Sequence, residues 1–161
     1  MNKMLMKSTT YDERLRSNWE WCQAYFNRKT EQFKIYDWKL KLNRAKTSIG
    51  VTNYATKYVG ISAHFLRGPS CGERDMRDAI LHELAHVIAG SKAKHGEEWK
   101  RIAEKIGCSA NVRGNMDMPH ANYLVECEFK CQSVTYFKVP NVSNKLCGKC
   151  RKGKLLVKSL N

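Results

Sequence analysis

The sequence predicts an α+β protein in which helices pack on a small β-sheet and a short β module follows. Two observations carry this prediction. Helical apolar stripes and short β-rich segments share residues 1–111, whereas residues 123–161 contain four cysteines in two pairs and no helical stripe. A polar stretch, 112–122, separates the two parts. At 161 residues and 42% hydrophobic content, the chain can bury one core with a small appendage.

Three helices are predicted from apolar periodicity. The first, Tyr11 to Lys29, has an apolar stripe with spacings of four, three and four, formed by Leu15, Trp19, Cys22 and Phe26. Asp75 to Ala89 has acidic residues at its start and Gly90 as its stop signal. Another helix begins near His95 or Gly96, and its predicted apolar stripe consists of Trp99, Ile102, Ala103 and Ile106. The buried side of the second helix is assigned to five apolar residues: Met76, Ile80, Leu84, Val87 and Ile88.

Three strands are predicted between the first two helices. Trp38 to Asn43 alternates apolar and polar residues, which is typical of a half-buried strand. Ile49 to Tyr54 and Lys57 to Ala63 are rich in β-branched and aromatic residues. The break at Gly68 separates these strands from the second helix.

The charge of the chain is strongly positive and unevenly distributed. The formal net charge is +14, with an excess of +8 in residues 1–68, none in 69–111 and +6 in 112–161. Such a balance favours a polyanionic partner, nucleic acid before an anionic membrane, although it could serve solubility alone. No run approaches the roughly 18 apolar residues of a membrane span, and no secretory signal is visible. We therefore expect a cytoplasmic or nucleoid-associated protein with no membrane partner.

The central helix contains the motif His82-Glu83-x-x-His86. Four residues advance a helix by about 400°, so both imidazoles project from one face and can bind one zinc ion. Glu83 lies beside that face and can act as general base on a water molecule without being a ligand. His95 is the candidate third ligand. The alternative is a pair of solvent-facing histidines beside a surface glutamate, which suits a largely apolar helix poorly.

The C-terminal module contains two cysteine pairs, and four thiolates at these spacings can hold one tetrahedral zinc ion. The alternative is a set of reduced cysteines in a small β module. So short a module can scarcely bury a stable core unless a link such as a structural metal ion holds it together. The predicted structural-zinc ligands are Cys127, Cys131, Cys147 and Cys150. The remaining cysteines, predicted to be core or surface residues, are Cys22, Cys71 and Cys108.

Basic residues surround these cysteines, with Tyr136 and Phe137 between them. Lysine and arginine can neutralise phosphates, and exposed aromatic rings can stack on unpaired bases. The module is therefore predicted to contact DNA, with a single-stranded or partly unpaired form as the expected partner. The alternative is a solvated basic face with its aromatic rings turned inward. The predicted nucleic-acid contacts are Lys149, Arg151, Lys152 and Lys154.

With these motifs in order, the chain resembles the SprT-like family of zinc metallopeptidases. Its Leu81–His86 segment is similar to the family's central motif, and His95-Gly96-x-x-Trp99 is similar to the segment carrying the third ligand. The four-cysteine module resembles the family's zinc ribbon. The resemblance implies a zincin-like metallopeptidase domain over 1–111, a linker over 112–122 and a zinc ribbon over 123–161. It also implies a DNA-associated protease acting on proteins bound or crosslinked to DNA.

The resulting hypothesis is a zinc endopeptidase with one catalytic and one structural zinc ion. His82, His86 and His95 bind the catalytic ion, and Glu83 is the base. A second donor to the developing oxyanion is not identifiable, and the tyrosines that could supply it are Tyr54, Tyr58 and Tyr123. Two rivals are a nucleic-acid-binding protein whose zinc is only structural and a regulatory protein that remodels another complex. The presence of Glu83 favours the enzyme, because a structural site does not need an uncoordinated acid.

Overall fold

The computed structural model describes residues 3–109 and 118–160, with side chains from Glu13 onward. It is a mixed α+β protein, which confirms the predicted class at that level. The chain divides into two compact units between Met118 and Pro119. Residues 112–117 of the predicted linker lie outside the described residues, and 119–122 belong to the second unit. No helix in the described ranges combines the length and the apolar character that crossing a membrane requires.

In its described residues the first unit holds four helices and a three-stranded sheet. Its elements in chain order are α1 (Lys3–Gln32), β1 (Lys39–Asn43), β2 (Gly50–Asn53), β3 (Tyr58–Ser62), α2 (Ala63–Arg67), α3 (Glu73–Ala89) and α4 (Glu97–Lys105). The three strands and the other three helices follow the predicted segments, whereas α2 was not predicted. It has only five residues and is too short to show an apolar stripe, and the Ser62 hydroxyl caps it by accepting a hydrogen bond from the His64 N–H.

The sheet has the order β1-β3-β2, with β1 parallel and β2 antiparallel to the central strand. Val59 and Ile61 of β3 are fully buried and belong to the core of the unit. Cys22 and Phe26 of α1 join the same core, as the predicted stripe requires. The pairing leaves β2 at one edge of the sheet, and this edge strand packs against α3.

The buried face of α3 includes Met76, Ile80 and Leu84, as predicted. The prediction was wrong for Ile88, which is 41% exposed, and Val87 is only half-buried. Eight residues turn a helix about 80° past two full turns, so Ile88 has rotated away from the face that contains Ile80. Additional buried positions on the helix are Leu81, Glu83 and Ala85.

The second unit is a three-stranded antiparallel sheet in the order β5-β4-β6. Its strands are β4 (Tyr123–Cys127), β5 (Ser133–Tyr136) and β6 (Leu155–Ser159). Among its described residues, the buried apolar side chains are Val125, Cys127 and Cys147. So small a core contributes little to folding, and the unit needs another source of stability.

Candidate active site

Three imidazoles converge where α3 meets the turn before α4. His82 and His86 lie one helical turn apart, as their spacing predicts. Gly90 ends α3 with a φ of +81°, a left-handed conformation that suits glycine, and its N–H donates to the His86 carbonyl. The turn that follows returns His95 to the helix. His95 Nε2 lies 3.1 Å from His82 Nε2 and 3.0 Å from His86 Nε2.

This arrangement fits a metal ion better than a hydrogen-bonded cluster. A ring nitrogen carries either one proton or one lone pair, so His95 Nε2 can meet both neighbours only by sharing a single proton or a single lone pair between them. A metal ion instead takes the lone pairs of all three nitrogens, which lie within 4.8 Å of one another. Burial, together with the neighbouring imidazoles, lowers the pKa values of His82 and His86 to about 4. Both rings are therefore neutral near pH 7, the form that binds zinc.

Trp99 forms a wall behind the three imidazoles. The ring is fully buried, and its centroid lies 4.7 Å from His82, 5.2 Å from His86 and 4.7 Å from His95. It belongs to α4, so the packing of α4 on α3 holds all three rings in place. The sequence predicted Trp99 as part of an apolar stripe, but not its contact with every candidate ligand.

Glu83 is the buried acid of the site. Its side chain is 6% exposed, and its carboxylate Oε2 accepts a 2.7 Å hydrogen bond from the Thr52 hydroxyl. Burial raises the Glu83 pKa to about 7, and the Thr52 hydrogen bond opposes this shift. A carboxyl group with a pKa near neutrality is suited to accept and return a proton. Thr52 was not anticipated, because nothing in a β-rich sequence segment indicates which helix side chain its hydroxyl meets.

The three imidazoles and Glu83 line an open cleft of about 1430 Å³. Its other wall includes the edge strand β2, through Gly50, Val51 and Thr52. A cleft of this size admits an extended chain rather than only a small molecule. All the described residues that line the cleft belong to the first unit.

Two of the three tyrosines considered as oxyanion donors have other contacts. Tyr54 lines the cleft, but its hydroxyl donates a 2.8 Å hydrogen bond to the His86 carbonyl and so ties the turn after β2 to the end of α3. The Tyr58 ring lies 4.5 Å from the Lys41 ammonium on the outer face of the sheet. Tyr123 belongs to the second unit. Tyr54 therefore acts in this structure as a structural anchor.

The four predicted cysteines form a second candidate metal group. Cys127 Sγ lies 3.7 Å from Cys150 Sγ, and Cys131 Sγ lies 3.4 Å from Cys147 Sγ. These separations fit four thiolates around one tetrahedral zinc ion with bonds of about 2.3 Å. The Gly153 N–H lies 3.3 Å from Cys150 Sγ, and backbone N–H groups at Gly153 and Lys152 lower the Cys150 pKa to about 6. They favour the thiolate that metal binding requires.

The predicted nucleic-acid residues are not equivalent. All four are exposed, but the Lys149 ammonium also donates a 3.0 Å hydrogen bond to the Cys131 carbonyl. Lys149 therefore contributes to the cysteine loop itself. Tyr136 is 41% exposed and Phe137 is half-buried, so Tyr136 is the more accessible ring.

The sequence profile of the SprT-like family matches residues 16–120. The chain belongs to the SprT-like family. The match begins within α1 and runs through α4, and it therefore includes every residue of the histidine cluster and the cleft wall. SprT-like domains are associated with metallopeptidase-type proteins. The two candidate metal-binding groups of this SprT-like protein, the three histidines and the four cysteines, are consistent with zinc. No curated protein matches the chain.

The burial of Glu83 predicts a pH-dependent cost in stability. In metal-free protein the folded state holds the Glu83 proton up to about pH 7, whereas the unfolded state releases it near 4.5. Glu83 thus destabilises the folded wild type increasingly as pH rises through this window, and this contribution is absent in Glu83→Gln. The lowered pKa values of His82 and His86 act in the opposite direction in both proteins, so the difference in stability between the two isolates the Glu83 titration. We expect Glu83→Gln to be more stable above pH 7 by up to about 3 kcal/mol, with no advantage below pH 4.5.

Urea unfolding of the two metal-free proteins across this pH range measures the difference. Glu98→Gln is the matched control, because Glu98 is exposed on α4 and should show no comparable divergence. A stability difference between wild type and Glu83→Gln that does not vary with pH would contradict the expected titration.

Proposed function

We propose that this SprT-like protein is a zinc-dependent endopeptidase that acts on proteins associated with DNA. The observation that carries the proposal is the placement of a buried carboxyl, Glu83, beside three converging imidazoles in an open cleft. We also propose that the first unit has the zincin-like architecture, with α3 as its metal-binding helix.

The residues of the site would have different roles in peptide hydrolysis. His82, His86 and His95 would hold the catalytic zinc ion. Zinc bound there would supply a Lewis acid that makes water acidic and stabilises negative charge on oxygen. Glu83 would take a proton from the attacking water and return it to the leaving amine. The Trp99 ring would keep the three imidazoles from rotating as charge develops at the site.

The edge strand supports a peptide as the substrate. β2 pairs with β3 on one side only within its sheet and lines the cleft on the other. An edge strand offers N–H and C=O groups that an extended peptide can pair with. Such pairing would lay a substrate backbone beside Glu83 without requiring particular side chains.

The DNA part of the proposal is supported by charge and by the exposed basic residues of the second unit. Residues 112–161 carry an excess of +6, and Arg151, Lys152 and Lys154 are exposed near the cysteine loops. Tyr136 offers an accessible ring for an unpaired base. A single-stranded or partly unpaired DNA is therefore the proposed partner.

The test is a protease assay on a DNA-bound protein and on the same protein without DNA. Cleavage that needs metal and rises with DNA would support both halves of the proposal. Cleavage that is unaffected by DNA would support the peptidase activity but contradict the proposed association with DNA. Zinc-loaded protein that binds DNA but cleaves no protein would instead favour the non-proteolytic nucleic-acid-binding alternative.

The basic residues yield a separate prediction on salt dependence. Replacing Arg151, Lys152 and Lys154 with alanine should weaken DNA binding and flatten the plot of log affinity against log salt. Each lost phosphate contact should reduce the magnitude of the slope by about 0.7–0.9. Lys149 is not replaced, because it donates a hydrogen bond to the Cys131 carbonyl. Its removal would disturb the cysteine loop as well as remove a phosphate contact. Fluorescence anisotropy at several salt concentrations measures both quantities.

The matched control replaces three exposed basic residues of the first unit, Lys39, Lys41 and Arg44, with alanine. If only the control weakens binding and flattens the slope, the DNA contact belongs to the +8 excess of residues 1–68. Zinc content should remain at the wild-type level in both variants.

A further inference from the structure

Glu83 makes contacts with β2 that its role as a base does not explain by itself. A glutamate side chain has three rotatable bonds, and a base must hold its carboxylate in one place relative to the reacting water. Glu83 reaches across from α3 to β2, where its Oε2 lies 2.7 Å from Thr52 Oγ1. The same hydroxyl is 3.2 Å from the Glu83 backbone carbonyl. A hydroxyl has one proton, and the shorter contact assigns it to the carboxylate.

Gly50 forms the other side of this contact. A Cβ atom added at Gly50 would lie 2.4 Å from Glu83 Oε1 and 2.8 Å from Cδ and Cγ, closer than real contacts allow. The Glu83 side chain therefore occupies the space that any other residue at position 50 would fill. Gly50 serves here through its missing side chain.

The strand register explains why the two residues act together. Thr52 pairs with Val59 and Gly50 with Ile61, and both partners are fully buried core residues. Cross-strand partners share a face of the sheet, and positions two apart on a strand point the same way. Gly50 and Thr52 thus both face α3. Gly50 leaves room for the Glu83 side chain, and Thr52 donates a hydrogen bond to its carboxylate.

We propose that Gly50 and Thr52 form a seat that holds the Glu83 carboxylate in its working position, and that both are positioning residues for peptide hydrolysis. This inference rests on the proposed endopeptidase function. A purely structural role, in which the contact only joins β2 to α3, would affect folding without changing turnover in the folded, metal-loaded protein. Tyr54 already makes a tie of that kind between the turn after β2 and α3 through its bond to the His86 carbonyl.

The first test removes the hydroxyl and then restores it. Thr52→Val keeps the branched shape but loses the donor, whereas Thr52→Ser keeps the donor. We expect Thr52→Val to lower kcat by roughly tenfold or more, since small misplacements of reacting groups have effects of this size. KM and zinc content should stay near wild type, and Thr52→Ser should recover most of the lost kcat.

The matched control is Thr56→Val in the adjacent turn. Thr56 also donates its hydroxyl to a side-chain oxygen, that of Asn53 at 2.9 Å, but it does not line the cleft. Thr56→Val should therefore leave kcat unchanged. Equal kcat values for Thr52→Val and wild type would overturn the role of Thr52.

The second test fills the space at Gly50. Gly50→Ala should displace the carboxylate and lower kcat while the three histidines retain zinc. Gly72→Ala is the control, because its added Cβ would lie an ordinary 3.6 Å from Asp75 Oδ2. Full activity in Gly50→Ala would overturn the role of Gly50.

A third measurement does not depend on activity. Unfolding by urea is followed for wild type, Thr52→Val, Glu83→Ala and the double variant. If the hydroxyl and the carboxylate are coupled, the two single changes should not add, because removing either partner already breaks the contact. If the shifts in unfolding midpoint of the two single variants add up to that of the double variant, Thr52 does not hold the Glu83 carboxylate, even if the enzyme is active. A wild type with no peptidase activity would overturn the hydrolytic role, while the unfolding data would still report whether the contact exists.

Discussion

Glu83→Gln should lower the rate of peptide hydrolysis by about 10²–10⁴-fold while leaving the zinc content of the protein unchanged. The amide has nearly the shape of the carboxylate and can still accept a hydrogen bond from Thr52, but it cannot take a proton near neutral pH. General acid–base catalysis contributes about 10²–10⁴-fold, so we expect a loss of that order. Turnover of a protein substrate and elemental analysis of the same preparation measure the two quantities.

Two further variants complete this experiment. His82→Ala should lose both activity and zinc from the histidine site, because it removes a candidate ligand rather than the base. Glu98→Gln changes an exposed acid on α4 and should behave as wild type. Full activity in Glu83→Gln would refute the assignment of Glu83 as the base.

Replacing Cys147 and Cys150 together with serine should unfold the second unit and remove one of two zinc equivalents. The described part of this unit buries only three apolar side chains, and two of them are cysteines of the cluster. Structural zinc contributes apparent free energies of about 10–16 kcal/mol in zinc-finger peptides at pH 7, far more than so small a core can replace. Elemental analysis and NMR dispersion of the β4–β6 resonances would record the loss.

Cys71→Ser is the control for this change, since Cys71 is half-buried in the first unit and outside both metal groups. It should retain two zinc equivalents and an intact second unit. If the double cysteine variant keeps its second unit folded and retains the wild-type zinc content, the four cysteines do not form a structural zinc site.

Local sequence was sufficient for the elements whose signals lie within a few residues. The stripe and stop signals of α3, the one-turn spacing of His82 and His86 and the cysteine pairs all depend on short-range geometry. The same patterns led to the SprT-like family, which the profile match over residues 16–120 confirms. Helix periodicity even indicated Trp99 as a buried residue, because amphipathic spacing reports which face is covered.

Tertiary structure decided every feature that depends on two distant segments meeting. The Thr52 hydroxyl lies 31 residues from Glu83 in sequence, and Gly50 is recognisable as space for a carboxylate only once β2 lies against α3. Tyr54, one of three tyrosines considered as oxyanion donors, donates its hydroxyl to the His86 carbonyl at the end of α3, and Ile88 is exposed. Sequence periodicity specifies which face of an element is apolar, but the partner of a polar side chain is set by strand register and helix packing. The histidine cluster and Glu83 could therefore be singled out from the sequence, whereas the contacts of Glu83 with Thr52 and Gly50 appear only in the folded chain.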